Sequence, residues 1–304
     1  MWKLIILLEF LKAIFLMSER IVLFCDGLLS EIFNSISKHH EIQHVLTSSK
    51  DLNVDIDTQI ADKIEAFNPE LNYDFSDSIC VLFLFKKIID TRNIVSKGIY
   101  NFHFGVLPEW RGNSCNVWSI INGDRNIGYS FHEVNNFVDD GTILYRYIVE
   151  LTKGRKYTDV RESIIQHSIM NAPILLSKLF RLESINVSCS SIKYTPRSRY
   201  LDTVVRPREI KANIFYGLYY AFGGSDWGFT LKTLIGDLEI ISVHEEPVDK
   251  EVFGFAGRVV NYVHHNKQLY TQLKVIDGYV FIGKVKYKGE ILDLHNIVNI
   301  GAQL

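Results

Sequence analysis

The residues with the most chemical potential in this chain lie close together. They are Asn101 and His103, then His132, then Asp139. The run Gly98-Ile99-Tyr100-Asn101-Phe102-His103 reads as a strand, and because strand side chains alternate, Asn101 and His103 emerge on the same face. His132 follows His103 by twenty-nine residues, and Asp139 follows seven later, within Asp139-Asp140-Gly141-Thr142-Ile143. Only a fold can bring them together. As a set they suit acyl transfer to nitrogen, because an amine attacking an acyl carbon builds a tetrahedral oxyanion that needs hydrogen-bond donors, which Asn101 and His103 supply. The attacking nitrogen must also lose a proton, and a histidine beside a carboxylate suits that at neutral pH. Three roles are open to Asp139: orienting His103, holding a relay water, or helping to take the proton.

Each residue alone has a structural explanation. Asn101 can satisfy a strand end, His103 can be a hydrogen-bonded interior histidine, and Asp139-Asp140-Gly141 reads as a turn. Their joint spacing favours chemistry. His132 fits equally as a brace for the Asp139 loop and as a participant. Lys86-Lys87 reads as a solvated helix start, and Phe104, Trp110 and Trp118 as packing residues. His264 and His265 are adjacent, so on a strand they face opposite ways, and no third ligand is apparent; no metal is assigned.

The elements that must position these residues follow from hydropathy. Ile21–Cys25 is a short apolar run closed by Asp26-Gly27 and followed by helical spacing through Leu28, Leu29, Ile32, Phe33 and Ile36, which predicts strand, turn and helix. Ile79–Phe85 is a second strand after the polar, turn-rich stretch 68–78, and Gly98–His103 a third. Strands alternating with helices predict a mostly parallel, Rossmann-like α/β sheet, with ligands at the carboxyl ends of the strands. Residues 158–186 have helical spacing that Pro173 kinks or divides. From about Ile210 the pattern becomes short β-type runs (Phe229–Leu234, Leu238–Val243, Gly257–Val263, Leu269–Val275, Tyr279–Val285). That predicts a small C-terminal β-barrel, with an OB-like barrel the leading candidate.

The expected division is therefore an apolar extension at 1–18, a catalytic domain at 19–192, a linker at 193–205 and a C-terminal β domain at 206–304. Trp2 to Leu16 is apolar but interrupted by Glu9 and Lys12 and too short to span a bilayer, so no membrane anchor is expected. Met17 stands directly before Ser18-Glu19-Arg20, so residues 1–16 read as an upstream extension from a misassigned start. With 47% hydrophobic and 22% charged residues and a formal net charge of −2, the chain has the composition of a folded protein without a broadly basic surface. Its four cysteines are widely separated, which predicts reduced thiols and a cytoplasmic setting.

The ordered motifs Asn101/His103, Leu107-Pro108, Arg111-Gly112, Asn122-Gly123-Asp124, Gly128, Ser130/His132 and Asp139/Gly141 resemble those of the 10-formyltetrahydrofolate-dependent formyltransferases. Ser130 stands where threonine is commoner, which keeps the hydroxyl. The resemblance implies that Asn101, His103 and Asp139 are the catalytic residues and that 10-formyltetrahydrofolate is the co-substrate, with no metal. It further implies a donor cleft bordered by residues 83–87 and 133–139, where Phe85, Lys86, His132 and Val138 are the expected binding positions.

Formyltransferases of this kind act on a purine-pathway ribonucleotide, on methionine esterified to initiator tRNA, or on amino sugars carried by nucleotides. An appended β domain resembles the last two. Arg206 to Leu304 holds eleven Lys or Arg and eleven Asp or Glu, a neutral balance where a tRNA enzyme needs basic excess. The expected acceptor is therefore a nucleotide-linked amino sugar, such as a dTDP-4-amino-4,6-dideoxyhexose, formylated for surface polysaccharide. Methionyl-tRNA is the runner-up, gripped by Arg197, Arg199, Arg206 and Arg208. A formyltetrahydrofolate hydrolase and a non-catalytic binding relative are further alternatives. A homodimer through the β-rich region is compatible with an unpaired edge strand.

Overall fold

The structure is a computed structural model and describes residues 18–49, 61–245 and 254–304. The expected extension at 1–16 lies outside the described residues. Among those described, no helix is long and apolar enough to cross a membrane.

The chain divides into two compact units. The first runs through Gly112, resumes at Gly128–Ile148 and ends with Ser163–Tyr194. Its centre is a seven-stranded sheet of β1 (Arg20–Cys25), β2 (Glu41–Thr47), β3 (Ile64–Ala66), β4 (Tyr73–Phe83), β5 (Ile94–His103), β7 (Asn126–Glu133) and β8 (Ile143–Glu150), in the order β3-β2-β1-β4-β5-β7-β8. The first five strands of that order are parallel, and β7 runs antiparallel to β5. Their apolar runs are buried on both faces, as in a sheet covered on both sides. Strand β4 begins at Tyr73, inside the stretch expected to be turn. Its register against β5 shifts between Phe75 and Ile79, so the polar residues Ser76 and Asp77 fall at an irregularity that polarity alone cannot distinguish from a loop.

Helix α1 (Leu29–Ser37) buries Leu29, Ile32, Phe33 and Ile36, the face expected from spacing. The carboxylate of Asp26, just past β1, accepts from the backbone N–H of Ser48 and of Lys86, each at 2.7 Å. One side chain thus ties the carboxyl ends of β1, β2 and β4.

The helix expected over 158–186 runs unbroken from Thr158 to Ser177 with Pro173 inside it. Pro173 cannot donate to the carbonyl of Ile169. That carbonyl instead accepts from Ser35 Oγ at 2.7 Å, which explains why the helix continues.

The second unit comprises Asn113–Ile127, Val149–Glu162 and Thr195–Leu304, so it takes in two segments that the sequence division assigned to the catalytic domain. Its helices, Cys115–Ile121 and Ala212–Phe222, approach closely at Gly217. A Cβ there would lie 2.6 Å from the Ile121 carbonyl oxygen. The helix at 212–222 corrects the expectation of β structure from about Ile210; Phe215 to Phe222 is buried all round, which erases the amphipathic signal.

The remaining strands form two largely antiparallel sheets; most overlap the expected β-type runs, whereas Val204–Val205 and Glu290–Asp293 lie outside them. One holds Val204–Val205, Thr230–Thr233, Gly236–Ile240, Lys284–Tyr287 and Glu290–Asp293. The other holds Val243–His244, Tyr279–Ile282, Gln268–Lys274 and Val259–His265. The stretch expected as linker is itself structured: β9 (Lys193–Thr195) pairs with β6 (Trp110–Gly112).

Candidate active site

Strands β5 and β7 place three of the four candidate residues by register. Asn101 stands opposite His132 and His103 opposite Ser130, so all four side chains share one face of the sheet. Asp139 arrives from the loop between β7 and β8 to meet them. Its Oδ2 lies 3.4 Å from His103 Nδ1 and its Oδ1 lies 3.5 Å from His132 Nε2. Asn101 Nδ2 is 3.4 Å from Asp139 Oδ1 and 3.3 Å from His132 Nε2. The structure brings together Asn101, His103, His132 and Asp139, residues that the sequence separates by up to thirty-eight positions.

Both imidazoles are buried, and each has a backbone carbonyl at its other nitrogen. His103 Nε2 donates to the Trp110 carbonyl at 2.9 Å and His132 Nδ1 donates to the Glu133 carbonyl at 2.6 Å. Carbonyls only accept, so these contacts fix which nitrogen carries hydrogen. In His132 the remaining Nε2 lies between the Asn101 amide, from which it accepts when neutral, and the Asp139 carboxylate, to which it donates when protonated. In His103 the remaining Nδ1 faces a carboxylate, an arrangement satisfied by the imidazolium.

Burial is the largest influence on Asp139 and pushes its carboxyl upward. The His132 hydrogen bond, the His103 charge and the Gly112 N–H outweigh it and hold the group down at about 2. The Gly112 N–H donates to Asp139 Oδ2 at 2.9 Å.

Three supports of this cluster correspond to motif residues without an obvious role in the sequence. Ser130 Oγ donates to the Gly105 carbonyl at 2.9 Å and accepts from Leu107 N–H at 3.0 Å, which pins the loop leaving His103. Gly141 lies so close to β7 that a Cβ would sit 1.9 Å from the Glu133 carbonyl oxygen, the acceptor for His132. Arg111 pairs with Asp140. Spacing marks these positions as motif members, but their partners are visible only in three dimensions.

The expected donor-binding positions are dispersed. The Phe85 ring packs edge-on to Phe24 and Phe67, at centroid distances of 5.4 and 5.7 Å, so it serves the core under the strand ends. The Lys86 backbone N–H is taken by Asp26 and its side chain is exposed. Val138 and its neighbour Phe137 are exposed next to Asp139, and His132 is in the cluster itself. A cavity of about 330 Å³ borders the same loop, lined by Ile99, Tyr100, Val134, Asn135, Gly141 and Thr142 among others. None of the four expected positions lines it. Among the described residues no group of three or more His, Cys, Asp or Glu is arranged to hold a metal ion.

The first unit is thus a mostly parallel α/β sheet with an Asn-His-His-Asp cluster at the end of β5. Residues 32–170 match the family model described as Formyl transferase. GDP-perosamine N-formyltransferase of Brucella melitensis is 26% identical over 129 residues, which is 42% of this chain and 48% of that protein. Methionyl-tRNA formyltransferase of Buchnera aphidicola is 40% identical over 60 residues, 20% of this chain and 18% of that protein. The chain thus matches about half the length of the GDP-perosamine enzyme and less of the tRNA enzyme.

Among solved structures, that of WlaRD, a sugar 3N-formyl transferase in the presence of dTDP and 5-N-formyl-THF, superposes with a TM-score of 0.65. It is 16% identical and covers 90% of this chain and 99% of its own. The N-formyltransferase from Helicobacter canadensis in complex with folinic acid and dTDP-3-aminofucose gives 0.61 at 15% identity, over 88% and 100%. At that identity the likeness establishes the fold.

Proposed function

We propose that this protein is a folate-dependent N-formyltransferase that moves the formyl group of 10-formyltetrahydrofolate to the amino group of a nucleotide-linked amino sugar. The observation that carries the reading is the convergence of Asn101 and His103 on Asp139, each at 3.4 Å, inside the stretch that matches the formyl transferase model.

In this reading the sugar amine attacks the formyl carbon. The carbonyl oxygen gathers negative charge beside Asn101 Nδ2 and the His103 imidazolium, which are preorganised and largely buried. The tetrahedral species then breaks its bond to the folate nitrogen. The amine proton leaves through the Asp139 and His132 network, and tetrahydrofolate departs with a proton on its nitrogen. Removing one such donor costs about 10²–10³ in kcat.

Phe137 and Val138 stand exposed beside Asp139 and offer an apolar lip for the donor, alongside the strand ends at Phe85 and Lys86. The sugar acceptor is favoured by the relatives, among them proteins named for GDP-perosamine and for a sugar 3N-formyl transfer, and by the charge balance of residues 206–304. The match to methionyl-tRNA formyltransferase, 40% identical over its 60 residues, sustains tRNA as the second reading.

The finer parts of the proposal are a boundary near 193–205, an OB-like closure of the C-terminal sheets, a homodimer, a cytoplasmic setting and use of the product in surface polysaccharide. The test is turnover from 10-formyltetrahydrofolate with dTDP- and GDP-linked 4-amino-4,6-dideoxyhexoses and with Met-charged initiator tRNA, offered separately. Transfer to a sugar that His103→Ala abolishes is the expected result. Transfer to tRNA alone overturns the acceptor, and acceptor-independent formate release overturns the transferase.

A further inference from the structure

Asp139 lies in the left-handed backbone region at φ 50, one that few residues with a Cβ other than Asn and Asp adopt. Its carboxylate is nearly buried, and the next residue is a second carboxylate, Asp140.

Strand β6 answers both with consecutive residues. Gly112 N–H donates to Asp139 Oδ2, and the Arg111 guanidinium pairs with Asp140 Oδ1. Arg111 is 6% exposed and is itself braced: Nε donates to the Pro108 carbonyl at 3.3 Å and Nη1 to the Tyr194 hydroxyl at 3.2 Å. A planar fork held at several points transmits position in a way a flexible ammonium does not.

We propose that Arg111 is a positioning residue for the Asp139 carboxylate: it grips the loop through Asp140 and so sets where Asp139 stands between His103 and His132. The proposal rests on the formyltransferase reading for its catalytic consequence, but its first test does not.

That test is an NMR pH titration of the His103 imidazole in the full-length, substrate-free protein. The groups facing or bordering this imidazole include Asp139, His132, Asn101 and, one step removed, Asp140 and Arg111. If Arg111 acts only as a nearby positive charge, Arg111→Gln raises the proton affinity of His103 and Arg111→Lys leaves it unchanged. If Arg111 positions Asp139, both variants loosen the carboxylate and lower that affinity, by about threefold or more, half a pH unit. A rise or no change in both variants overturns the proposal; should Arg111→Gln not fold, Arg111→Lys decides alone.

The second test is steady-state turnover. A kcat reduced at least tenfold with KM for the formyl donor within threefold is expected, and Arg111→Gln/Asp140→Asn should be no worse than the worse single variant. Losses that multiply in the double variant mean the two residues act separately and refute the grip. Absence of turnover in the unaltered protein would refute the formyltransferase reading and leave the titration result standing.

Discussion

Replacing Gly141 by alanine tests whether the loop carrying Asp139 must lie against β7. The glycine is not needed for its backbone angles; it is needed for space. A Cβ built there falls 1.9 Å from the Glu133 carbonyl oxygen and 2.7 Å from its carbon, against about 3.5 Å for an ordinary contact. Something must therefore move by more than 1 Å. The group in the way is backbone, fixed by the Glu133 N–H donating to the Thr142 carbonyl at 3.0 Å and by His132 Nδ1 donating to the Glu133 carbonyl at 2.6 Å. Overpacking of this kind costs about 1–3 kcal/mol, and losing a buried hydrogen bond adds about 1–3 kcal/mol, so a loss near 3 kcal/mol is expected by urea denaturation. Because the same displacement carries His132 away from Asp139, kcat should fall by about 10², measured as tetrahydrofolate release. Gly141→Ala with stability unchanged within about 0.5 kcal/mol and turnover unchanged would refute the reasoning, since the loop would then have room to relax without touching the cluster.

Two further outcomes follow from the same geometry. Asp139 titrates in the fold at about 2 rather than near 3.8, so its ionised form contributes stability above the unfolded value that is lost as pH falls toward 2; the stability gap between the unaltered protein and Asp139→Asn should shrink by about 2 kcal/mol between pH 6 and pH 2.5, and a constant gap would mean that Asp139 is not held ionised. Ser35→Ala should cost about 1–2 kcal/mol by leaving the Ile169 carbonyl without its donor, whereas in Ser35→Ala/Pro173→Ala the new backbone N–H can take that carbonyl and recover most of the loss, read as a coupling in a double-mutant cycle.

Periodicity made the first unit largely legible. A period of two at Gly98–His103 put Asn101 and His103 on one face, and helical spacing found α1 because one side of it stays polar. The helix at Ala212–Phe222 escaped the same reading because residues buried on every side leave no polar face. The start of β4 escaped because Ser76 and Asp77 interrupt it at a register shift. Within the site, residue type and spacing singled out Asn101, His103 and Asp139, which the structure brings together, whereas Arg111, Gly112, Ser130 and Gly141 act through partners that no local pattern encodes. Phe85 shows the converse: next to the expected cleft in sequence, its ring is drawn into the packing of Phe24 and Phe67.

The placement of protons distinguishes the roles left open for Asp139. A carboxylate that titrates at about 2 is a poor resting base, because almost no driving force takes an amine's proton to it. It is well suited to hold a cation, and His103 stands 3.4 Å away with its other nitrogen already committed to the Trp110 carbonyl. On the proposed reading the pair therefore presents a fixed imidazolium to the developing oxyanion, and Asp139 keeps it charged. His132 differs in having an amide as well as the carboxylate at its second nitrogen: its Nδ1–H is spent on Glu133, and its Nε2 faces the Asn101 amide and the Asp139 carboxylate. When neutral it accepts from Asn101, and when it takes a proton at Nε2 it donates to the carboxylate. The proton released by the amine thus has a route in which Asp139 passes it on and His132 Nε2 holds it. His132→Gln, which retains a polar side chain and loses the basic nitrogen, separates that route from a purely structural brace.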